Sequence, residues 1–139
     1  MTDRIFIDSN IWLYLFLKDS YDKYRLSEEF IIKNSKNSIF VISYQVVNEV
    51  SNKLFQKNFE EKIIRENIER MCKICTLQDF TKDILINASQ LREKYSISFW
   101  DSIIVSSGII ANCNVLISED LQDGMKIQNM EIRNIYKTK

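Results

Sequence analysis

Three apolar runs, set apart by long stretches of helix-forming sequence, leave this chain few folds to choose from. Ile5-Phe6-Ile7, Ile39-Phe40-Val41-Ile42 and Val115-Leu116-Ile117 are continuous rather than alternating, as in strands covered on both faces. The periodicity predicts a strand over Arg4–Asp8, a helix over Ser9–Leu17 and a second helix from about Asp22 to Lys33. A strand over Ser38–Ser43 follows, then a helix from Ser43 to about Gln56 whose apolar face is Val46, Val47, Val50 and Leu54. Glu60–Met71 reads as a charged amphipathic helix, Ile74–Leu77 as a weak strand and Lys82–Tyr95 as a helix. A helix from Ser98 to about Asn112, a strand over Asn114–Ile117, a loop over Glu119–Gly124 and an edge strand over Glu131–Ile135 complete the chain. Strands alternating with helices give an α/β architecture of three layers, a mostly parallel central sheet with helices on both faces.

A length of 139 residues favours one domain over 1–139, and with Gly 2 and Pro 0 there is no material for a linker. The apolar stretches are too short and too broken to span a bilayer, so no membrane association is expected. No apolar leader precedes the first strand, and cytoplasmic is the expected location. Cys72, Cys75 and Cys113 are an odd set, and His 0 leaves Cys72 and Cys75 nothing to complete a zinc site. They are expected to be small apolar residues rather than a redox pair.

In parallel sheets of this kind ligands sit beyond the carboxyl ends of the strands. Four acids fall at such places: Asp8 closing the first strand, Glu49 and Asp101 early in two helices, and Asp120 shortly after Ile117. Each has an ordinary explanation. Asp8 is a favoured helix cap, Glu49 has Lys53 one turn away, and Asp120 lies in a turn that ends at Gly124. Asp101 is harder to dismiss, because it heads a stripe of Ile104, Val105, Gly108 and Ile109 on a helix expected to be buried. Two carboxylates about 4 Å apart repel by roughly 4 kcal/mol at an effective dielectric of about 20. A cluster of four therefore calls for a cation, and hard oxygen ligands favour Mg²⁺ or Mn²⁺. Without histidine, an imidazole-based acid–base route is closed. Lys+Arg 19 against Asp+Glu 19 gives no basic excess, but four acids gathered in one pocket would leave the remaining surface basic.

The motifs resemble those of the PIN-domain ribonucleases, and within them the VapC-like toxins of toxin–antitoxin pairs. The resemblance spans nearly the whole chain. It rests on Phe6-Ile7-Asp8-Ser9-Asn10, Ser43-Tyr44-Gln45-Val46-Val47-Asn48-Glu49, Phe99-Trp100-Asp101-Ser102 and Leu116-Ile117-Ser118-Glu119-Asp120-Leu121-Gln122-Asp123-Gly124, in that order. It implies that Asp8, Glu49, Asp101 and Asp120 are catalytic, metal-site acids. Ser118 stands at the family's hydroxyl position, where Thr is usual, and Asn10 at its polar position after the first acid. Asp123 competes with Asp120 for the fourth role.

The activity implied is Mg²⁺- or Mn²⁺-dependent hydrolysis of RNA by a toxin with a protein antitoxin as partner. A housekeeping PIN-fold RNA processor would look alike at this level, and a non-catalytic PIN-fold binding module is a further alternative. A phosphatase with Asp8 as nucleophile would need Asp-x-Asp, and the third position is Asn10. Lys53, Lys57 and Arg25, with Lys18, Lys23 and Tyr24, are candidates to guide RNA. The apolar run from Ile11 to Leu17, with Trp12, Tyr14 and Phe16, exceeds the need of one helix face. It is available to an antitoxin or to a second copy in a homodimer, unless the helix is fully internal.

Overall fold

A computed structural model describes residues 2–137. In chain order the elements are β1 (Asp3–Ile7), α1 (Ser9–Leu17), α2 (Tyr21–Asn34), β2 (Ser38–Ser43), α3 (Tyr44–Gln56) and α4 (Glu61–Ile74). Then come β3 (Cys75–Gln78), α5 (Lys82–Lys94), α6 (Phe99–Ile110), β4 (Val115–Ile117), β5 (Lys126–Ile127) and β6 (Met130–Arg133). The strands form one sheet in the order β3-β2-β1-β4-β6-β5. Every neighbouring pair is parallel except β5 with β6.

β1 sits in the middle because both its faces must be covered, and Ile5, Phe6 and Ile7 are all buried. Its register sets Phe6 against Val41 on one side and Ile7 against Ile117 on the other. From β1 the chain winds outward through β2 to β3, then crosses back to β4 on the opposite side of β1. Right-handed crossovers in opposite directions put α1–α4 on one face and α5–α6 on the other. The packing agrees: α1 lies against α2 and α3, α3 against α4, and α5 against α6. The reversal opens a crevice beyond the ends of β1 and β4, where sheets of this kind bind ligands. The three-layer α/β fold expected from the alternation is the one observed.

Several details differ from the sequence expectation. Asp8 is not the last strand residue but the cap of α1, in extended conformation with φ −73° and ψ 167°. Ile74 belongs to α4, so β3 starts at Cys75. The last strand, β6, is not at the edge. It lies between β4 and a two-residue β5 that pairs antiparallel through a turn at Gln128 and Asn129, with φ 55° at Gln128. The Ile11–Leu17 run is largely internal, since Ile11 and Trp12 are buried and Leu13 to Leu17 half-buried. Cys75 and Cys113 are buried and Cys72 half-buried, all three free thiols, as the apolar interpretation expects. Among the described residues no helix is long and apolar enough to cross a membrane.

Gly108 lets α6 settle onto the sheet: a Cβ there would stand 2.8 Å from Met130 Sδ and 3.5 Å from Phe6 Cβ. Met130 is itself buried on β6 and has little room to yield. Gly108→Val is expected to lower stability by about 1–3 kcal/mol through overpacking, measured as the free energy of urea unfolding.

Candidate active site

The crevice between β1 and β4 is built around one buried carboxylate. Asp8 leaves β1 with its backbone N–H donating to the Ile117 carbonyl at 3.0 Å, so the sheet ladder itself fixes its position. Its Oδ1 accepts from the Ser9 N–H at 2.7 Å, capping α1. Its Oδ2 accepts from Ser118 Oγ at 2.9 Å, across from the end of β4. Ser118 is fully buried and Asp8 is only 5% exposed. Burial pushes the Asp8 carboxyl up to about 6, and the charges of Glu49 and Asp120 push the same way. The bonds from Ser9 and Ser118 oppose the rise without cancelling it.

The other acids arrive on three separate elements. Ser43 caps α3, its Oγ accepting from the Val46 N–H at 3.4 Å, and places Glu49 in the second turn. Ser98 caps α6, its Oγ accepting from the Asp101 N–H at 3.2 Å, and places Asp101 in the first. Asp120 follows Ser118 on the loop after β4. Glu49 is raised by burial and by the charges of Asp101 and Asp120, with a hydrogen bond from Gln45 opposing. Asp120 is raised by burial and by the charges of Asp101 and Glu119. Asp8 thus lies within electrostatic range of Glu49 and Asp120, and each of those within range of Asp101.

They do not yet share a coordination sphere. Among the described residues no three acidic or cysteine side chains stand close enough to hold one ion. The donor set nevertheless fits a hard dication. It is all oxygen, its negative charges raise one another's proton affinity, and none of the four acids has an ion pair among the described residues. The acid most in need of a cation is Asp8, not Asp101. Asp101 is half-buried beside exposed Phe99 and Trp100, and full burial of α6 begins one residue later, at Ser102. No Glu49–Lys53 ion pair forms among the described residues.

The remaining candidates are dispersed. Asn10, in the first turn of α1, has both its side-chain Oδ1 and Nδ2 buried without a hydrogen-bond partner. Asp123 turns to structural use, its Oδ1 accepting from the Asn134 N–H at 2.9 Å, which separates it from Asp120. Arg25 is tied to Tyr21 at 3.1 Å and Glu29 at 3.2 Å along α2. Lys53 and Lys57 are exposed at the end of α3 with no ion pair among the described residues.

Two features escaped the sequence reasoning. Tyr44, Gln45, Asn48, Phe80, Trp100 and Ile103 line a groove of about 480 Å³ that shares Glu49 with the acids. Its aromatic members were legible only as motif flanks, and Phe80 not at all. Glu119, read as plain loop, is held by Tyr14 and Lys23. No short-range pattern joins those three.

Comparison with known proteins agrees with this architecture. The PIN domain family model matches residues 5–122, and the chain belongs to that family. Similar solved structures include VapBC2 from Rickettsia felis bound to a promoter DNA fragment, at 20% identity and TM-score 0.69, covering 94% of this chain and 98% of that one. A toxin–antitoxin complex from Klebsiella pneumoniae matches at 19% identity and TM-score 0.72, covering 96% and 99%. VapC20 of Mycobacterium tuberculosis, described as a sarcin–ricin loop cleaving toxin, matches at 16% identity and TM-score 0.64, covering 81% and 86%. At these identities the likeness is one of fold. A search of curated proteins finds no match.

Asp8 also sets a pH dependence. Its folded pKa of about 6 lies above the ordinary 3.8, so between those values the folded chain holds the proton more tightly than the unfolded one. Stability contributed by this group is therefore present below about pH 4 and lost as pH rises through about 6, by at most about 3 kcal/mol. Asp8→Asn should raise the melting temperature of metal-free protein by several degrees at pH 7.5 and by far less at pH 4, measured by calorimetry.

Proposed function

We propose that this chain is a Mg²⁺- or Mn²⁺-dependent endoribonuclease, the toxin component of a type II toxin–antitoxin pair. The supporting observation is the buried, proton-hungry Asp8 carboxylate facing the uncompensated charges of Glu49 and Asp120 at the crevice of the sheet. Membership of the PIN family and the fold shared with toxin–antitoxin complexes support the same reading. The substrate class is supported by the resemblance of motifs and by the likeness to a toxin named for cleaving the sarcin–ricin loop. The protein would work in the cytoplasm as one domain over 1–139, with an antitoxin, and in some states a second copy, as partner.

In this reading Asp8, Asp101 and Asp120 hold the cation and Glu49 orients the attacking water. The ion, when bound, supplies positive charge against the scissile phosphate and lowers the pKa of water. Ser118 keeps Asp8 in place, as its 2.9 Å bond does without metal. Asp123 is left to its bond with Asn134 and takes no part. Lys53 and Lys57 contact phosphates flanking the cut, while Arg25, already committed to Glu29, contributes least.

Asp101→Asn should reduce cleavage of a single-stranded RNA by at least about a hundredfold while leaving the melting temperature close to wild type. Wild-type rates from this variant would remove Asp101 from the site. Replacing Lys53 and Lys57 together by Ala should lower the slope of log affinity against log salt by about one to two, measured with catalytically inactive Asp8→Asn protein to keep the RNA intact. An unchanged slope takes both lysines off the RNA path.

A further inference from the structure

Asp120 makes no side-chain hydrogen bond among the described residues, so its neighbours must set its position. We propose that Tyr14 and Lys23 are positioning residues for the reaction, acting through Glu119 to hold Asp120 toward the acid cluster. This rests on the nuclease reading above. Both oxygens of the Glu119 carboxylate are taken: Tyr14 Oη donates to Oε1, and Lys23 Nζ donates to Oε2 at 2.5 Å. Lys23 also donates to Tyr14 Oη at 3.1 Å and lies 5.0 Å from the Tyr14 ring centre and 5.8 Å from that of Tyr136. Three residues from α1, α2 and the loop after β4 thus form one closed unit.

The unit is anchored from behind. Ser27 Oγ spends its proton on the Lys23 carbonyl at 2.7 Å, so at 2.6 Å it is Tyr136 Oη that donates to Ser27. Asn134 donates from Nδ2 to the Glu119 carbonyl at 3.3 Å and from its backbone to Asp123 at 2.9 Å. Asp120 is therefore bracketed, by the Glu119 clamp before it and the Asp123 tie after it. The clamp does a second thing: it occupies both oxygens of Glu119, the acid adjacent in sequence, and keeps that carboxylate from entering the cluster as a competing ligand. Lys23 in this role holds Glu119 and Tyr14 with two of its three N–H groups.

The experiment uses Lys23→Met, which keeps the stem, Tyr14→Phe, which keeps the ring against Tyr136, and Lys23→Arg as the conservative rescue. With RNA, Lys23→Met should lower kcat about tenfold or more with KM nearly unchanged, Tyr14→Phe should move kcat the same way, and Lys23→Arg should restore most of it. Without RNA, Lys23→Met should weaken Mn²⁺ binding several-fold by calorimetry. In metal-free protein it should speed amide exchange across residues 119–123 while α1 stays protected. A rise in KM at constant kcat and constant Mn²⁺ affinity would make Lys23 a phosphate contact and overturn the inference. Unchanged loop exchange would overturn it too. Asp8→Asn in the same assay separates the two levels. If Asp8→Asn is inactive while Lys23→Met is fully active, only the clamp is wrong; if Asp8→Asn cleaves like wild type, the site assignment falls, and if wild type itself cleaves no RNA with Mn²⁺, the nuclease reading falls.

Discussion

The hydrogen bond from Ser118 to Asp8 ties together the ends of two strands that lie 110 residues apart in sequence. It exists because β1 pairs with β4 in the centre of the sheet, and that pairing exists because both runs are apolar enough to be covered on each face. The bond keeps a carboxylate where water hardly reaches. Ionising such a group is costly, and burial raises its affinity for protons although Ser9 and Ser118 both donate to it.

The other acids are arranged less tightly, and the difference has a physical sense. Glu49, Asp101 and Asp120 come from a helix flank, a helix start and a loop, and are partly or largely exposed. Glu49 and Asp120 lie at the surface, whereas Asp8 is buried with both oxygens held by hydrogen bonds. In the proposed reading, one buried acid with three partly or largely exposed ones would accept a hard ion without four buried charges beforehand. It also explains why the residues form an electrostatic cluster but not a ready-made coordination sphere.

Much of this was readable from sequence, and the failures have causes. Continuous apolar runs and the Ser caps before α3 and α6 are local signals, and they placed β1, β2, β4 and the starts of both helices to within a residue or two. The burial of Asp101 was overestimated, because a stripe pattern tells which face of a helix is covered but not where along its length the cover begins. Cover starts at Ser102, after the exposed Phe99 and Trp100. β5 was missed because two residues and a Gln-Asn turn without glycine leave no period to detect. The Tyr14–Lys23–Glu119 unit joins residues 9 and 96 positions apart, and only tertiary structure makes them neighbours.

The proposal that Asp8 holds a dication is tested most directly by proton release on metal binding. A ligand carboxylate with a pKa near 6 must lose its proton when metal binds near that pH. Mn²⁺ titrations by calorimetry in buffers of different ionisation enthalpy should show release of about half a proton per site at pH 6, falling to nearly none by pH 8. The Asp8→Asn protein should release clearly less than wild type at pH 6. Absence of Mn²⁺ binding, or binding at pH 6 with no proton released by the wild-type chain, would contradict the account.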